Sequence, residues 1–156
     1  MRKACTDVEW FEDYEVDDEF VGEPVEFTEQ NITNFAKQYD PQPFHVDKAA
    51  AAESQFRGLI ASGSHMFAEI WGGMMRAGFL NNRAMGSPGI DHWRNLKPVR
   101  PGDTITLYAR VSETRASSSR KDRGYVVFEH SAKNQSGDVV WTFICPQIIA
   151  RRPADQ

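Results

Sequence analysis

The sequence is poor in cysteine and contains no long apolar run. Its two cysteines, Cys5 and Cys145, are far apart and match no metal-ligand spacing, so we expect two free thiols in a reducing compartment. No apolar stretch approaches the roughly 20 residues that a transmembrane helix requires. The N-terminus turns acidic at Asp7 and Glu9, where a signal peptide would continue with apolar residues. These features predict a cytoplasmic protein without a membrane partner.

An excess of positive charge is also missing. The formal net charge is −4 and the sequence pI is about 5.6, which argues against nucleic acid as the main partner. The composition, 40% hydrophobic and 26% charged, is typical of a globular protein. The 156 residues show no internal repeat and no linker, and their length corresponds to about one domain. We therefore expect residues 1–156 to form a single domain.

The first half of the chain carries helix signals. Thr28 is a predicted N-cap of a helix that ends near Tyr39, and Asp47 is a predicted N-cap of a short helix that continues to Glu53. A longer helix is expected from about Ser64 to Phe79, because six large apolar residues recur along it as a doubled stripe. We interpret that stripe as core packing rather than as a cofactor site.

Beyond Gly89 the pattern changes to strands. Residues 104–111 alternate between apolar and polar side chains, and Tyr125–Ala132 and Val139–Ala150 follow as two further strands. Helices followed by a run of antiparallel strands predict an α+β fold, in which a sheet wraps around the apolar helix.

Asp40 and His45 are candidates for proton transfer. They lie on a stretch that contains Pro41 and Pro43, and we predict that these prolines keep residues 40–44 stiff and non-helical. A carboxylate held beside an imidazole suits acid/base chemistry. Spacing alone, however, favours a simpler reading in which Asp-Pro marks a turn and His45 is a packed or surface residue. Two ligands are too few for a zinc site.

A second candidate element precedes the long helix. Ser62 and Gly63 lie where free N–H groups at a helix N-terminus would attract an anion, and Gly63 would let a ligand oxygen approach the backbone. A plain serine N-cap explains the same residues. His65, in the first turn, is expected to be a neutral packing residue. No role is assigned to His92 or His130.

Taken together, three segments resemble the MaoC-like hydratases. These segments are Tyr39–Asp47, which contains the Asp-Pro-Gln-Pro-Phe-His run, Phe56–Gly63, and Leu96–Thr104. They occur in the order in which the family carries them, and the resemblance extends from about Trp10 to Ala150. Gln42 stands where many members have asparagine, and Ser62 where many have histidine.

The resemblance implies a hot-dog fold, a homodimer or higher homo-oligomer, and hydration of a 2-enoyl thioester. Asp40 and His45 would hold the attacking water, and Gly63 with Ser62 would bind the thioester oxygen. The substrate would be an acyl-CoA or acyl-carrier thioester. No cofactor or metal is implied, since coenzyme A is part of the substrate. An acyl thioesterase and a non-catalytic thioester-binding subunit remain as alternatives.

Overall fold

A computed structural model describes residues 1–80 and 83–153 of the chain. Both cysteines are buried and free, as the sequence predicts. Within the described residues, none of the helices has the length and apolar character needed to cross a membrane.

The helices follow the predicted order with one correction. They are α1 (Glu29–Tyr39), α2 (Pro43–Val46), α3 (Lys48–Glu53) and α4 (Gly63–Arg76). Three of these helices have an N-cap residue whose side chain accepts a hydrogen bond from the first turn. Thr28 accepts from the Asn31 amide in α1, Asp47 caps α3, and Ser62 caps α4. These observations confirm the two predicted caps.

The expectation of a non-helical stretch over residues 40–44 is wrong at its end, because Pro43 begins the short helix α2. A proline disfavours the helical conformation for the residue before it. It is itself suited to the first helical position, where its missing N–H costs nothing. Gln42 is accordingly extended and serves as the N-cap residue. The two prolines therefore separate α1 from α2 rather than keep the whole stretch extended.

In the described part of the chain, six antiparallel strands form the sheet. They are β1 (Glu19–Val21), β2 (Val25–Glu26), β3 (Asp91–Asn95), β4 (Thr104–Ala116), β5 (Arg123–Lys133) and β6 (Val139–Ala150). The order is β1-β4-β5-β6-β3, and β2 pairs with the start of β4. Strand β3 thus lies at one edge of the sheet.

The apolar face of the sheet packs against α4. Met66, Ile70 and Met74 of this helix are buried in one hydrophobic cluster with inward-facing residues of β4, β5 and β6. Alternate residues of β5 are buried from Gly124 to Ala132, which is the period of two expected for a sheet with one covered face. An antiparallel sheet that covers a central helix is the α+β hot-dog fold, and that prediction is confirmed.

Residue His130 is an unusual member of this core. Its ring stacks on Phe143 with a centroid separation of 4.2 Å and an interplanar angle of 2°. Neither ring nitrogen has a hydrogen-bond partner of good geometry among the described residues. Desolvation by burial lowers the pKa of His130 from 6.5 to about 3, against a smaller opposing interaction with the Phe128 backbone. His130 is therefore a neutral aromatic core residue.

This lowered pKa predicts a loss of stability in acid. As the pH falls below 6.5, the unfolded chain protonates His130 while the folded protein does not, until the pH approaches about 3. Between pH 6.5 and pH 5 this costs about 2 kcal/mol, at roughly 1.4 kcal/mol per pH unit. The His130→Phe variant fills the same space without titrating, so its free energy of unfolding should fall about 2 kcal/mol less over that interval. Urea unfolding at the two pH values measures the difference, and equal losses in both proteins would contradict it.

Candidate active site

The junction between α1 and α2 sets the position of Asp40. Its backbone N–H donates to the carbonyl of Ala36 at 2.9 Å, which makes Asp40 the C-cap of α1. The backbone then turns, and the N–H of Gln42 donates to the Asp40 carbonyl at 2.8 Å. Because α2 begins at once with Pro43, Asp40 and His45 are brought to the same side of the junction.

His45 is buried and has a defined proton position. Its Nδ1 lies 2.7 Å from the carbonyl oxygen of Ile60, and a carbonyl can only accept a hydrogen bond. Nδ1 therefore carries a proton. In the neutral ring, Nε2 is then an acceptor with a free lone pair. That nitrogen lies 3.4 Å from Oδ2 of Asp40.

The carboxylate of Asp40 is held from its other side. Its Oδ1 accepts a hydrogen bond from Nε2 of Gln42 at 2.8 Å, so Oδ2 is left to face His45. The Asp40 side chain is 27% exposed, whereas that of His45 is 6% exposed. When Asp40 carries its charge and the His45 ring is neutral, the two facing atoms are both hydrogen-bond acceptors. A water molecule beside the pair can donate one hydrogen to each.

A cleft of about 390 Å³ opens at this pair. Polar groups in its lining come from Asp40, Gln42, His45, Asn95 and Lys97, and the first residue of α4, Gly63, also lines it. The remaining lining is mostly apolar and consists of Phe44, Phe56, Ile60, Ala61, Met66, Leu96, Pro98 and Val99. A largely apolar cleft with a few converging polar groups is typical of a small-molecule site.

Backbone N–H groups at the N-terminus of α4 are available as hydrogen-bond donors. Ser62 Oγ accepts from the His65 N–H at 3.2 Å, and the Ser62 carbonyl accepts from Met66. Among the described residues, the N–H groups of Gly63 and Ser64 have no acceptor. Gly63 thus lines the same cleft as Asp40 and His45, while Ser62 is buried behind it as the helix cap and does not line the cleft.

His65 is a buried residue in the first turn of α4. Its ring stacks on Phe35 at 4.6 Å and 16°, and Glu69 Oε1 lies 3.8 Å from Nε2. Desolvation by burial lowers the pKa of His65, although Glu69 opposes the shift. This agrees with the expected neutral packing residue. In the structure, burial is the first cause of the lowered His65 pKa, whereas the expectation from the sequence rested on the helix dipole.

Asn95, to which the sequence assigned no role, lines the cleft. Asn95 lies at the end of β3, directly before the Leu96–Thr104 segment. The signal available in the sequence was weak, because a short exposed strand with Trp93 as its one apolar residue has no apolar alternation.

A second hollow, of about 440 Å³, lies on the outer face of the sheet. Its charged lining is mixed in sign, and Arg110 there is already paired with both Asp17 and Glu129. It contains neither of the predicted acid/base residues. Among residues 1–80 and 83–153, no group of three or more His, Cys, Asp and Glu side chains is placed to hold a metal ion.

Comparisons with known proteins show which sequences and structures this chain is similar to. The model of the MaoC like domain matches residues 13–134. A crystal structure of a MaoC-like dehydratase from Rhodospirillum rubrum is 34% identical, with a TM-score of 0.85, and the match covers 94% of this chain and 99% of that one. The uncharacterized protein YdeM of Bacillus subtilis is 28% identical over 116 residues, which are 74% of this chain and 81% of that protein.

A more distant structure shares the fold. R-hydratase PhaJ1 from Pseudomonas aeruginosa, in its unliganded form, is 24% identical with a TM-score of 0.72. The match covers 92% of this chain and 86% of that chain.

The capping hydrogen bond of Ser62 predicts how substitutions of this residue change the stability of the protein. Ser62→Ala removes the acceptor for the His65 N–H and should lower the free energy of unfolding by about 1 kcal/mol, whereas Ser62→Gly should cost only a few tenths. Urea unfolding of both variants at pH 7 checks this order. Equal stability of Ser62→Ala and the unmodified protein would contradict the capping role.

Proposed function

The chain belongs to the MaoC-like dehydratase family, and we propose that it hydrates the double bond of a 2-enoyl thioester or catalyses the reverse reaction. The observation that carries this proposal is that Asp40 Oδ2 and His45 Nε2 face each other at 3.4 Å. The pair shares its cleft with the donor-rich start of α4. Hydration needs both a held water and a place for negative charge.

The attacking water is held by Asp40 and His45 together. One hydrogen of the water points to each acceptor, which directs an oxygen lone pair towards the β-carbon of the substrate. As the new carbon–oxygen bond forms, one proton passes from the water to the pair. The pair then delivers one proton to the α-carbon, so it returns to its starting state after each turnover.

The negative charge of the intermediate collects on the thioester oxygen. When the water oxygen bonds to the β-carbon, the double-bond electrons move towards the carbonyl and produce an enolate. The N–H of Gly63 is free to donate to that oxygen, and the positive end of the α4 dipole lies behind it. The enolate electrons then take up the proton at the α-carbon.

Hydration leaves no net oxidation or reduction, and side chains of the protein can carry both proton transfers. We therefore propose no cofactor and no resident metal. Coenzyme A, or the arm of an acyl carrier, enters as part of the substrate. The dehydratase from R. rubrum, by its name, and the fold shared with an R-hydratase support this class of reaction.

The acid/base proposal predicts the effect of two substitutions. Asp40→Asn and His45→Gln should each lower kcat for crotonyl-CoA hydration by about 10²-fold or more, the usual contribution of acid/base assistance. The matched control is Glu53→Gln, which makes the same carboxylate-to-amide change at an exposed position of α3. Loss of the enoyl absorbance measures the rate, and circular dichroism verifies folding. Folded Asp40→Asn and His45→Gln proteins with normal turnover would refute the assignment.

We also propose that the protein assembles through β3. Every residue of this edge strand is exposed, and the exposed apolar side chains of Trp93 and Leu96 lie on it and next to it. An open edge with apolar residues is a ready surface for pairing with a second copy.

Pairing through β3 predicts a dimer in solution. Light scattering should give a mass of about 35 kDa, twice the 17.7 kDa of one chain, or a multiple of it for a higher oligomer. A mass of one chain at micromolar concentration would contradict the assembly.

A further inference from the structure

Strand β3 directs two side chains at the start of α4. Trp93 and Asn95 are two residues apart, and a β carbon placed on Gly63 would lie 3.7 Å from Trp93 Cζ2 and 3.8 Å from Asn95 Nδ2. Trp93 is partly exposed, but one side of its ring packs on the core: its centroid lies 4.3 Å from that of Trp141 and 5.7 Å from that of Phe67. This packing holds the end of β3 against the helix.

The side-chain amide of Asn95 has no structural role in the described part of the fold. Among the described residues, it makes no side-chain hydrogen bond, although it lies close to Gly63, whose N–H has no acceptor. Asn95 also lines the cleft that contains Asp40 and His45. An unpaired amide in a cleft with an acid/base pair is a candidate for contact with the substrate.

The side chain of Asn95 faces the backbone of Gly63 across a short distance. A β carbon on Gly63 would lie 3.8 Å from Asn95 Nδ2 and 3.9 Å from Asn95 Oδ1, which is ordinary van der Waals contact. Because glycine has no side chain, the space beside its backbone is open to a ligand oxygen. A side chain at position 63 would occupy that space next to the Asn95 amide.

We propose that Asn95 Nδ2 is a second oxyanion donor, which binds the thioester oxygen together with the Gly63 N–H. This inference rests on the proposed hydration reaction. A neutral amide suits the role because it strengthens its hydrogen bond as charge develops on the oxygen. It therefore stabilises the transition state more than the bound substrate.

Two substitutions test this role by their effect on kcat and KM separately. Asn95→Ala removes the donor and should lower kcat for crotonyl-CoA by roughly 10²-fold with little change in KM. Asn95→Asp keeps the shape but places a carboxylate beside the enolate, and should lower kcat at least as much. The matched control is Asn34→Ala, an exposed asparagine of α1 outside the cleft, which should leave both constants unchanged. Light scattering and urea unfolding verify that the variants keep the assembly and stability of the unmodified protein.

The possible outcomes separate this inference from the proposed function. If the unmodified protein hydrates enoyl-CoA and Asp40→Asn abolishes turnover, but Asn95→Ala is unaffected, only the role of Asn95 is rejected. A change confined to KM also rejects it, because it would mean that Asn95 binds the substrate equally in the ground and transition states. Absence of hydration by the unmodified protein rejects both.

Discussion

The hydrogen bond between His45 Nδ1 and the carbonyl of Ile60 is the contact on which the site depends. It determines which ring nitrogen carries the proton, and so leaves Nε2 as an acceptor towards Asp40. It also joins α2 to the segment that leads into α4. The N–H of Ile60 returns to the Phe44 carbonyl at 3.3 Å, and the N–H of Ala61 donates to Val99 at 2.8 Å. These hydrogen bonds fix α2, the segment before α4 and the segment around Val99 relative to one another, and all three line the cleft.

The hot-dog core explains why this arrangement is rigid. Helix α4 is buried along one face by the sheet, so its N-terminus has a fixed position relative to β3 and to the junction of α1 with α2. Gly73 allows that close packing, since a β carbon there would lie 2.6 Å from the backbone oxygen of Glu23. Catalytic groups must be held to fractions of an ångström, and contacts of this kind provide that precision.

Local signals in the sequence predicted most of the elements. Thr28 and Asp47 were recognised as caps because the chemistry of a cap is contained in a few neighbouring residues, and the long strands were evident from alternation. The pairing of Asp40 with His45 came from the resemblance, since spacing alone favoured an ordinary turn. That the two side chains lie in one cleft with Gly63 is a fact of the structure, and their catalytic role stays a prediction.

Features that depend on distant contacts were not predictable. The acidic and aromatic composition of the N-terminal segment predicts that it lies across the surface. This prediction is wrong, because Trp10, Tyr14 and Phe20 are buried in the core. Asn95 has no local pattern, because its position against Gly63 depends on how Trp93 packs on Trp141. In each case the contacting residues are far away in the sequence and leave no signature near the residue itself.

The central claim is that the water held by Asp40 and His45 attacks a carbon–carbon double bond rather than the thioester carbonyl. The most direct measurement follows crotonyl-CoA with the unmodified protein while recording enoyl absorbance and free thiol in the same reaction. The account predicts rapid loss of the enoyl absorbance to an equilibrium with 3-hydroxybutyryl-CoA, without release of thiol. Thiol release at the same rate as the loss of substrate would contradict it and indicate a thioesterase.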